Sequence, residues 1–357
     1  MPRNGSSSRL EVNANQAAGP LRAATHNLFH SQAHWVYIRV PIREIKMKIP
    51  VKTLVTMCMP LVLVGIAGAL LSVERPSGER GSHQMPVQVK RMALRHHAMQ
   101  LVRKPDLTTS TSENWAGWVA TGPQGSVTDV QASWVVPSFT CPSGSDTYAA
   151  LWTGIDGWTS KTVEQTGTES DCVGGSPSNF AWYEIYPEGF SYTIGNYTKS
   201  GVCESDCVSA GDIISAEVSV DPGGSGPQGH GPGSVGGPKF TLKISDVTQG
   251  WNFTTSHSVG DALQTSAEWI TERLFGCSTA NRYCQLSPFG TANYGSHYTR
   301  VSDTAFATVD GVTSPLGSLP NIQLTMQDSP SFQIAVPSAL SHDGTSFQVT
   351  VKNNGGP

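Results

Sequence analysis

Charged residues are scarce in this 357-residue chain, at only 14% of the total, with 23 Lys and Arg against 27 Asp and Glu. Basic residues are rarest beyond residue 105, where 8 Lys and Arg accompany 23 Asp and Glu, a net charge of −15. So few basic residues exclude the electrostatic footprint of a nucleic-acid-binding protein. This acidic region suits low pH instead, because protonation of carboxylates removes its charge.

The signatures of several hydrolase classes are also absent. The chain has no G-x-S-x-G elbow, no H-E-x-x-H zinc motif and no D-T-G or D-S-G loop of the pepsin-like proteases. No two cysteines have C-x-x-C spacing, and His257 and His297 stand apart, which disfavours the alternative of a zinc site. We therefore expect no metal and no cofactor, and carboxylates and amides remain as the candidate reactive groups.

A sustained 3.6-residue hydrophobic period is absent as well. From about Ser112 onward, short alternating runs recur between turns rich in Gly, Pro and Ser. The runs fall at 114–120, 127–136, 147–155, 180–187, 212–220, 238–247, 251–259 and 346–353. Many strands at this spacing predict an all-β fold, an antiparallel sandwich or barrel of some 240 residues, which we place at 111–357.

The N-terminal part has a different composition, with 15 Lys and Arg and only 4 Asp and Glu in residues 1–105. A positive flank, an uncharged apolar run at 54–71 and an A-x-A site predict a secretory signal peptide at 47–72. We expect translation to begin at Met47, with 1–46 an extension of the reading frame. The protein is then secreted, or membrane-anchored if the apolar run is not cleaved.

Residues 73–110, called the basic segment below, carry seven Lys and Arg together with His96 and His97. One interpretation is a flexible linker. The other is a propeptide that is held on the acidic domain by charge, inhibits it, and is released when acid neutralises the carboxylates.

Six cysteines follow the apolar run, and an even count in an exported domain predicts three disulfides. Fifteen pairings are possible, and the sequence leaves the connectivity open. Close spacing favours Cys203–Cys207 and Cys277–Cys284, which leaves Cys141–Cys172.

The two-residue period of a strand sorts the side chains of two segments. In 181–187, Trp182, Glu184 and Tyr186 share one face, a combination that suits the wall of a ligand groove rather than a core. In 163–167, Glu164 and Gln165 must point to opposite faces, so only one of them can enter such a groove.

Five segments resemble motifs of the glutamic peptidases, also called eqolisins. They are NWAGW (114–118), LWTGIDG (151–157), EQTGT (164–168), AWYEIYP (181–187) and AEWITE (267–272). They occur in the family's order, and the resemblance covers about 112 to 357. It implies a sandwich of two large antiparallel sheets, a concanavalin A-like jelly roll, and an acid-active, metal-independent endopeptidase with a Gln–Glu dyad.

Carried onto this sequence, the resemblance implies Gln165 and Glu268 as the catalytic pair, with Asp156 and Glu184 as supporting groups. It implies four substrate-binding aromatic residues, Trp115, Trp152, Trp182 and Tyr186, and the Cys277–Cys284 bond resembles a family disulfide. Three features depart from the pattern: Glu169 stands where Asp is expected, 221–238 is a Gly-rich insertion, and the other four cysteines do not follow the pattern of the fungal members. The implied partners are protein or peptide substrates, and we expect a monomer.

The residue types fit this chemistry. A glutamate with an ordinary pKa of about 4.3 can act as a general base in acid, where histidine is protonated. The Gln165 amide can accept a hydrogen bond from water and donate one to an oxyanion. Two alternatives stay open: a jelly-roll glycoside hydrolase that uses Glu184 and Glu268, and a non-catalytic lectin-like module.

Overall fold

A computed structural model describes His96 and residues 108–187, 191–198, 200–222, 236–277 and 283–355. All of these belong to one compact unit, Glu79–Pro357. The expected extension at 1–46, the signal peptide, most of the basic segment and most of the Gly-rich insertion lie outside the described residues. In the part of the chain that is described, no helix is long and apolar enough to cross a membrane.

The regular secondary structure of the described chain is almost entirely β-strand, as the alternating runs predict. The first ten are β1 (Thr109–Ser112), β2 (Trp115–Thr121), β3 (Val127–Val135), β4 (Ala150–Ile155), β5 (Val163–Val173), β6 (Ser176–Tyr186), β7 (Tyr192–Ile194), β8 (Asn196–Tyr197), β9 (Cys203–Ser205) and β10 (Ile213–Val220). The others are β11 (Lys239–Asp246), β12 (Trp251–Ser258), β13 (Ser266–Glu272), β14 (Thr291–Gly295), β15 (Phe306–Val309), β16 (Val312–Pro315), β17 (Asn321–Ser329), β18 (Phe332–Pro337) and β19 (Ser346–Val351). One short helix, α1 (Ser296–Thr299), and a 3-10 turn at Leu316–Ser318 complete the described elements.

The strands form two layers, which confirms the predicted antiparallel β-sandwich. The front sheet has the order β17-β2-β13-β4-β5-β6-β7. The back sheet runs β3-β10-β11-β12, with β14 and β15 sharing the other edge of β3. Strands β18 and β19 link the layers, and β1 joins β17 in parallel, two residues ahead of the expected domain start.

A hydrophobic core lies between the layers because alternate residues of both sheets point into it. The back sheet contributes Trp134, Ile214 and Phe240, and the front sheet contributes Leu151 and Trp269. A second, smaller cluster covers the opposite face of the front sheet, and it contains Trp115, Trp152, Trp182 and Ile270. The front sheet is therefore buried on both faces, and its outer face, called the cleft face below, carries the candidate site.

The described residues contain three disulfides, Cys141–Cys172, Cys203–Cys207 and Cys277–Cys284. They are the pairings that close spacing favours. The Cys141–Cys172 bond ties a loop to the end of β5, and each of the other two bonds closes a loop of a few residues. The disulfides therefore hold loops in place, whereas the two sheets are held together by the hydrophobic core.

Candidate active site

One row of the front sheet brings together the residues of the expected dyad. Glu268 on β13 lies opposite Gly154 on β4, Gly154 lies opposite Gln165 on β5, and Gln165 lies opposite Glu184 on β6. Residues directly opposite one another in antiparallel strands point to the same face. This row therefore places Glu268, Gln165 and Glu184 side by side on the cleft face, although Gln165 and Glu268 are far apart in sequence.

Gly154 leaves the space between the two dyad residues open. The Cα atoms of Gln165 and Glu268 are separated by two strand spacings, about 10 Å. Gly154 occupies the strand between them and has no side chain, so their side chains face each other across bare backbone. A Cβ at position 154 would come within 2.8 Å of the Glu164 carbonyl oxygen and 3.0 Å of the Gln165 Cβ. The sequence therefore needs glycine here for both the pairing of β4 with β5 and the gap.

The Gln165 amide is oriented by Glu184. Its Nε2 donates a hydrogen bond of 3.3 Å to Glu184 Oε2. Because a carboxylate only accepts hydrogen bonds, this contact fixes which end of the amide points toward β6. The Oε1 atom of Gln165 has no hydrogen-bond partner among the described residues, so an acceptor is available on the cleft face.

Glu268 is fully buried, and burial raises its pKa well above the ordinary value. Ser266, whose hydroxyl lies outside standard hydrogen-bond geometry, partly offsets this rise, while the charges of Asp156 and Glu164 add to it. The sequence-based expectation of an ordinary glutamate pKa is therefore wrong for this structure. The main cause of the raised pKa is desolvation, which penalises the charged form of the Glu268 carboxylate.

Glu164 and Gln165 point to opposite faces of β5, as strand alternation predicts. Glu164 lies opposite Ile155 and Ile185, which both belong to the core between the sheets. It is fully buried there and close enough to Glu268 to raise the pKa of that residue. Glu164 is therefore turned away from the cleft, yet it acts electrostatically on the site through the sheet.

Asp156 holds the loop that precedes β13. It follows Ile155, the last residue of β4, and has a positive φ of 70°. Its carboxylate accepts hydrogen bonds from the backbone N–H groups of Leu263, Gln264 and Thr265 at 2.7–2.9 Å and from the Thr265 hydroxyl at 3.0 Å. This loop leads directly into β13, so Asp156 supports the strand that carries Glu268.

The expected substrate-binding aromatics lie on the cleft face. Trp115, Trp152 and Trp182 are fully buried, whereas Tyr186 is partly exposed. The indoles of Trp115 and Trp152 meet edge to face, with centroids 4.8 Å apart. Trp152 Nε1 also donates to Glu272 Oε2 at 2.8 Å, which ties this aromatic group to an acidic residue.

A second acidic pair occupies a row four residues along the same strands. Glu272 on β13 lies opposite Ala150 on β4, and Ala150 lies opposite Glu169 on β5. The small Ala150 separates them as Gly154 separates Gln165 from Glu268. Both glutamates are buried, and the two rows are about 13 Å apart along the strands.

His96, from the basic segment, fills the space between these two glutamates. Its Nε2 lies 3.2 Å from Glu169 Oε1, and its Nδ1 lies 3.2 Å from Glu272 Oε2. The imidazole stacks on the Trp182 indole with ring centroids 3.8 Å apart and planes 12° from parallel. Burial alone would lower the pKa of His96, but hydrogen bonds to Glu169 and Glu272 and the charges of Glu272 and Glu184 raise it to about 10. These contacts favour the protonated form of the buried imidazole.

Sequence reasoning missed this second cluster, although a signal for it was present. Glu272 is four residues after Glu268, and Glu169 is four residues after Gln165, so alternation places each on the face of its dyad residue. Nothing local in the sequence indicates that His96 meets them.

Among the described residues, no group of three or more His, Cys, Asp or Glu side chains is arranged to hold a metal ion.

The sequence is similar to those of known peptidases. A sequence model of the Peptidase A4 family matches residues 113–314. Aspergillopepsin-2 from Aspergillus niger is 31% identical over 183 residues, which are 45% of this chain. The match spans 56% of the length of that relative.

Solved structures with a related arrangement include two glutamic peptidases. Scytalido-glutamic peptidase, solved with a peptide-based transition state analogue, gives a TM-score of 0.49 at 21% identity and covers 67% of this chain and 98% of its own. Aspergilloglutamic peptidase from Aspergillus niger gives a TM-score of 0.40 at 25% identity and covers 57% of this chain and 99% of its own.

Proposed function

The chain belongs to the peptidase A4 family, the glutamic peptidases, and we propose that it is an acid-active endopeptidase whose catalytic pair is Gln165 and Glu268. Its substrates are proteins and peptides, bound across the cleft face. The observation that carries this proposal is the row in which Glu268, Gly154, Gln165 and Glu184 lie side by side.

In this mechanism, Glu268 takes a proton from a water molecule that attacks the scissile carbonyl carbon. Gln165 Oε1, which has no partner among the described residues, accepts a hydrogen bond from that water. The Gln165 NH2 group has two hydrogens, and one is held by Glu184. The other donates to the developing oxyanion, a contribution that is on the order of 10²–10³ in rate for one such donor.

The pKa of Glu268 sets the acidic limit of this reaction. A general base works only when it is deprotonated, so activity rises as pH increases through the pKa of Glu268. Because burial is the largest cause of its raised pKa, water that enters an opened cleft lowers this pKa again. The acidic limb of the activity profile should therefore report the ionisation of Glu268 in the opened cleft.

The remaining parts of the proposal concern the chain outside the described domain. The protein is secreted and monomeric, the apolar run at 54–71 directs export, and the basic segment is a propeptide that inhibits the domain. Support comes from the signal-peptide pattern, the opposite charges of the two regions and the three disulfides.

Within the domain, once the cleft is open, substrate side chains contact four aromatic residues of the cleft face: Trp115, Trp152, Trp182 and Tyr186.

The test is digestion of casein or haemoglobin from pH 2 to 7 by the acid-treated protein, with and without an inhibitor of aspartic proteases. We expect inhibitor-resistant proteolysis that Gln165→Ala and Glu268→Gln each abolish. The Gln165→Ala change removes an oxyanion donor, and Glu268→Gln removes the base while preserving shape. Glu217→Gln, a change on the back sheet, is the matched control and should retain activity.

Full activity in either dyad variant would contradict the proposal. Cleavage of polysaccharide rather than protein, with Gln165→Ala tolerated, would favour the glycoside hydrolase alternative. Absence of turnover with any substrate would favour the lectin-like module.

A further inference from the structure

His96 lies between two glutamates, and each of its ring nitrogens contacts one of their carboxylate oxygens. Its two partners come from strands 73 and 176 residues away along the chain, and the side chain is fully buried between them. A protonated imidazole has two N–H donors in one plane, and here each donor meets a separate carboxylate oxygen. The Trp182 indole covers one face of the ring, which adds a cation–π contact.

The site is built into the sheet. Ala150 leaves the space between Glu169 and Glu272, and Trp152 Nε1 and Asn114 Nδ2 donate to Glu272 at 2.8 and 3.4 Å. Glu272 is thus held in position by groups of the domain as well as by the imidazole. Glu169, Glu272 and Trp182 are called the His96 pocket below.

We propose that the His96 pocket is a cation-binding site that holds His96 of the unprocessed chain on the cleft face. The inference rests on the proposed function, because it makes this contact the fastening that keeps the peptidase inactive before processing. While His96 is in place, its ring covers the Trp182 indole that we assign to substrate binding.

The direction of the pH dependence follows from the groups around the ring. The charged groups that face it are Glu169 on β5, Glu272 on β13 and Glu184 on β6. Because its pKa is raised from 6.5 to about 10, the stabilising effect of protonated His96 is complete below about 6.5 and is lost only as pH rises through about 10.

The experiment compares acid processing of the full chain in four forms: wild type, His96→Ala, His96→Arg and His97→Ala. Each is incubated between pH 3 and 7, and the appearance of the shortened domain is followed over time by electrophoresis. Truncating one partner of a buried charge pair weakens such a contact by a factor of about 30 or more. We therefore expect His96→Ala to be processed about 30-fold faster or more than wild type at the pH where wild type is half processed.

His97→Ala changes a neighbouring residue of the same type and should behave like wild type. His96→Arg retains a flat cation with several donors and should keep most of the delay. Equal processing of wild type and His96→Ala would overturn the inference. Once the basic segment is removed, the four chains have the same peptidase domain, so their kcat/KM tests the proposed function separately: inactive domains would refute that function, whereas active domains with an unchanged His96→Ala profile would refute only the role of His96.

A second measurement does not depend on activity. The full chain carrying Glu268→Gln, which should remain unprocessed, is labelled with ¹⁵N-histidine and titrated by NMR. The imidazole signal of His96 is identified by its loss in His96→Ala. Its chemical shift should stay that of a protonated ring up to about pH 10. Titration of that signal near its ordinary value of about 6.5 would also overturn the inference.

Discussion

Replacing Gly154 with alanine tests whether the open space between Gln165 and Glu268 is needed for catalysis. The added Cβ would lie 2.8 Å from the Glu164 carbonyl oxygen, where ordinary contact begins at 3.4 Å, so β4 and β5 must separate by roughly 0.6 Å. This overpacking costs about 1–3 kcal/mol. For a domain of this size, that corresponds to a fall in Tm of about 2–12 °C, which leaves the domain folded.

The effect on catalysis should be larger than the effect on stability. A displacement approaching 1 Å in a catalytic group reduces the rate by about 10²-fold, and the new methyl group projects into the space that water must occupy. We expect this loss in kcat rather than in KM, because the aromatic residues of the cleft are unchanged. The assay is cleavage of a fluorogenic peptide by the processed domain, together with thermal unfolding followed by circular dichroism.

Gly122→Ala is the matched control. A Cβ there would lie 2.3 Å from Ser126 Oγ and 2.8 Å from Val309 Cγ1, which are side-chain contacts with β15 and the loop before β3, away from the dyad. It should lower Tm comparably and leave kcat unchanged. A Gly154→Ala enzyme whose kcat stays within about threefold of wild type, despite the expected fall in Tm, would refute the argument that this gap serves the reaction.

Two further predictions concern acidic residues near the dyad. Glu164→Gln removes a charge that raises the pKa of Glu268, so the acidic limb of the kcat/KM profile should move to lower pH; an unmoved limb, or an equal shift in the back-sheet variant Glu217→Gln, would contradict this. Asp156→Ala removes the acceptor of three backbone N–H groups before β13. Because these donors are then left unpaired, the free energy of unfolding, measured by urea denaturation, should fall by about 2–5 kcal/mol. Asp156→Asn, which retains one acceptor oxygen, should lose less, and an unchanged free energy of unfolding in Asp156→Ala would show that the loop does not depend on these bonds.

The strands and the faces of their side chains could be predicted from sequence because both depend on local patterns. Alternation placed Trp182 and Glu184 on one face and separated Glu164 from Gln165, and the structure agrees. Short loops between cysteines likewise favoured the observed disulfides. The two-residue period does not give the partners of Asp156, because this residue follows the end of β4 with a positive φ.

Features that depend on which strands are neighbours could not be derived in this way. Strand β13 pairs with both β2 and β4, although it follows them by more than 100 residues. That arrangement sets Glu272 opposite Ala150 and brings Glu169 within reach of the same imidazole. The pKa of Glu268 was misjudged for a related reason, since its burial results from the packing of the whole sheet and not from its own segment.

The cleft-face residues of β4 have a consequence for the length of a productive substrate. Ala150 and Gly154 carry the smallest side chains on the cleft face of β4, and Trp152 stands between the two. The two positions are about 13 Å apart, which is the span of about four residues of extended peptide. If a substrate of the proposed peptidase lies along β4 with its cleaved bond over Gly154, it reaches Glu169 and Glu272 only when it extends about four residues in that direction, and shorter peptides use the catalytic row alone.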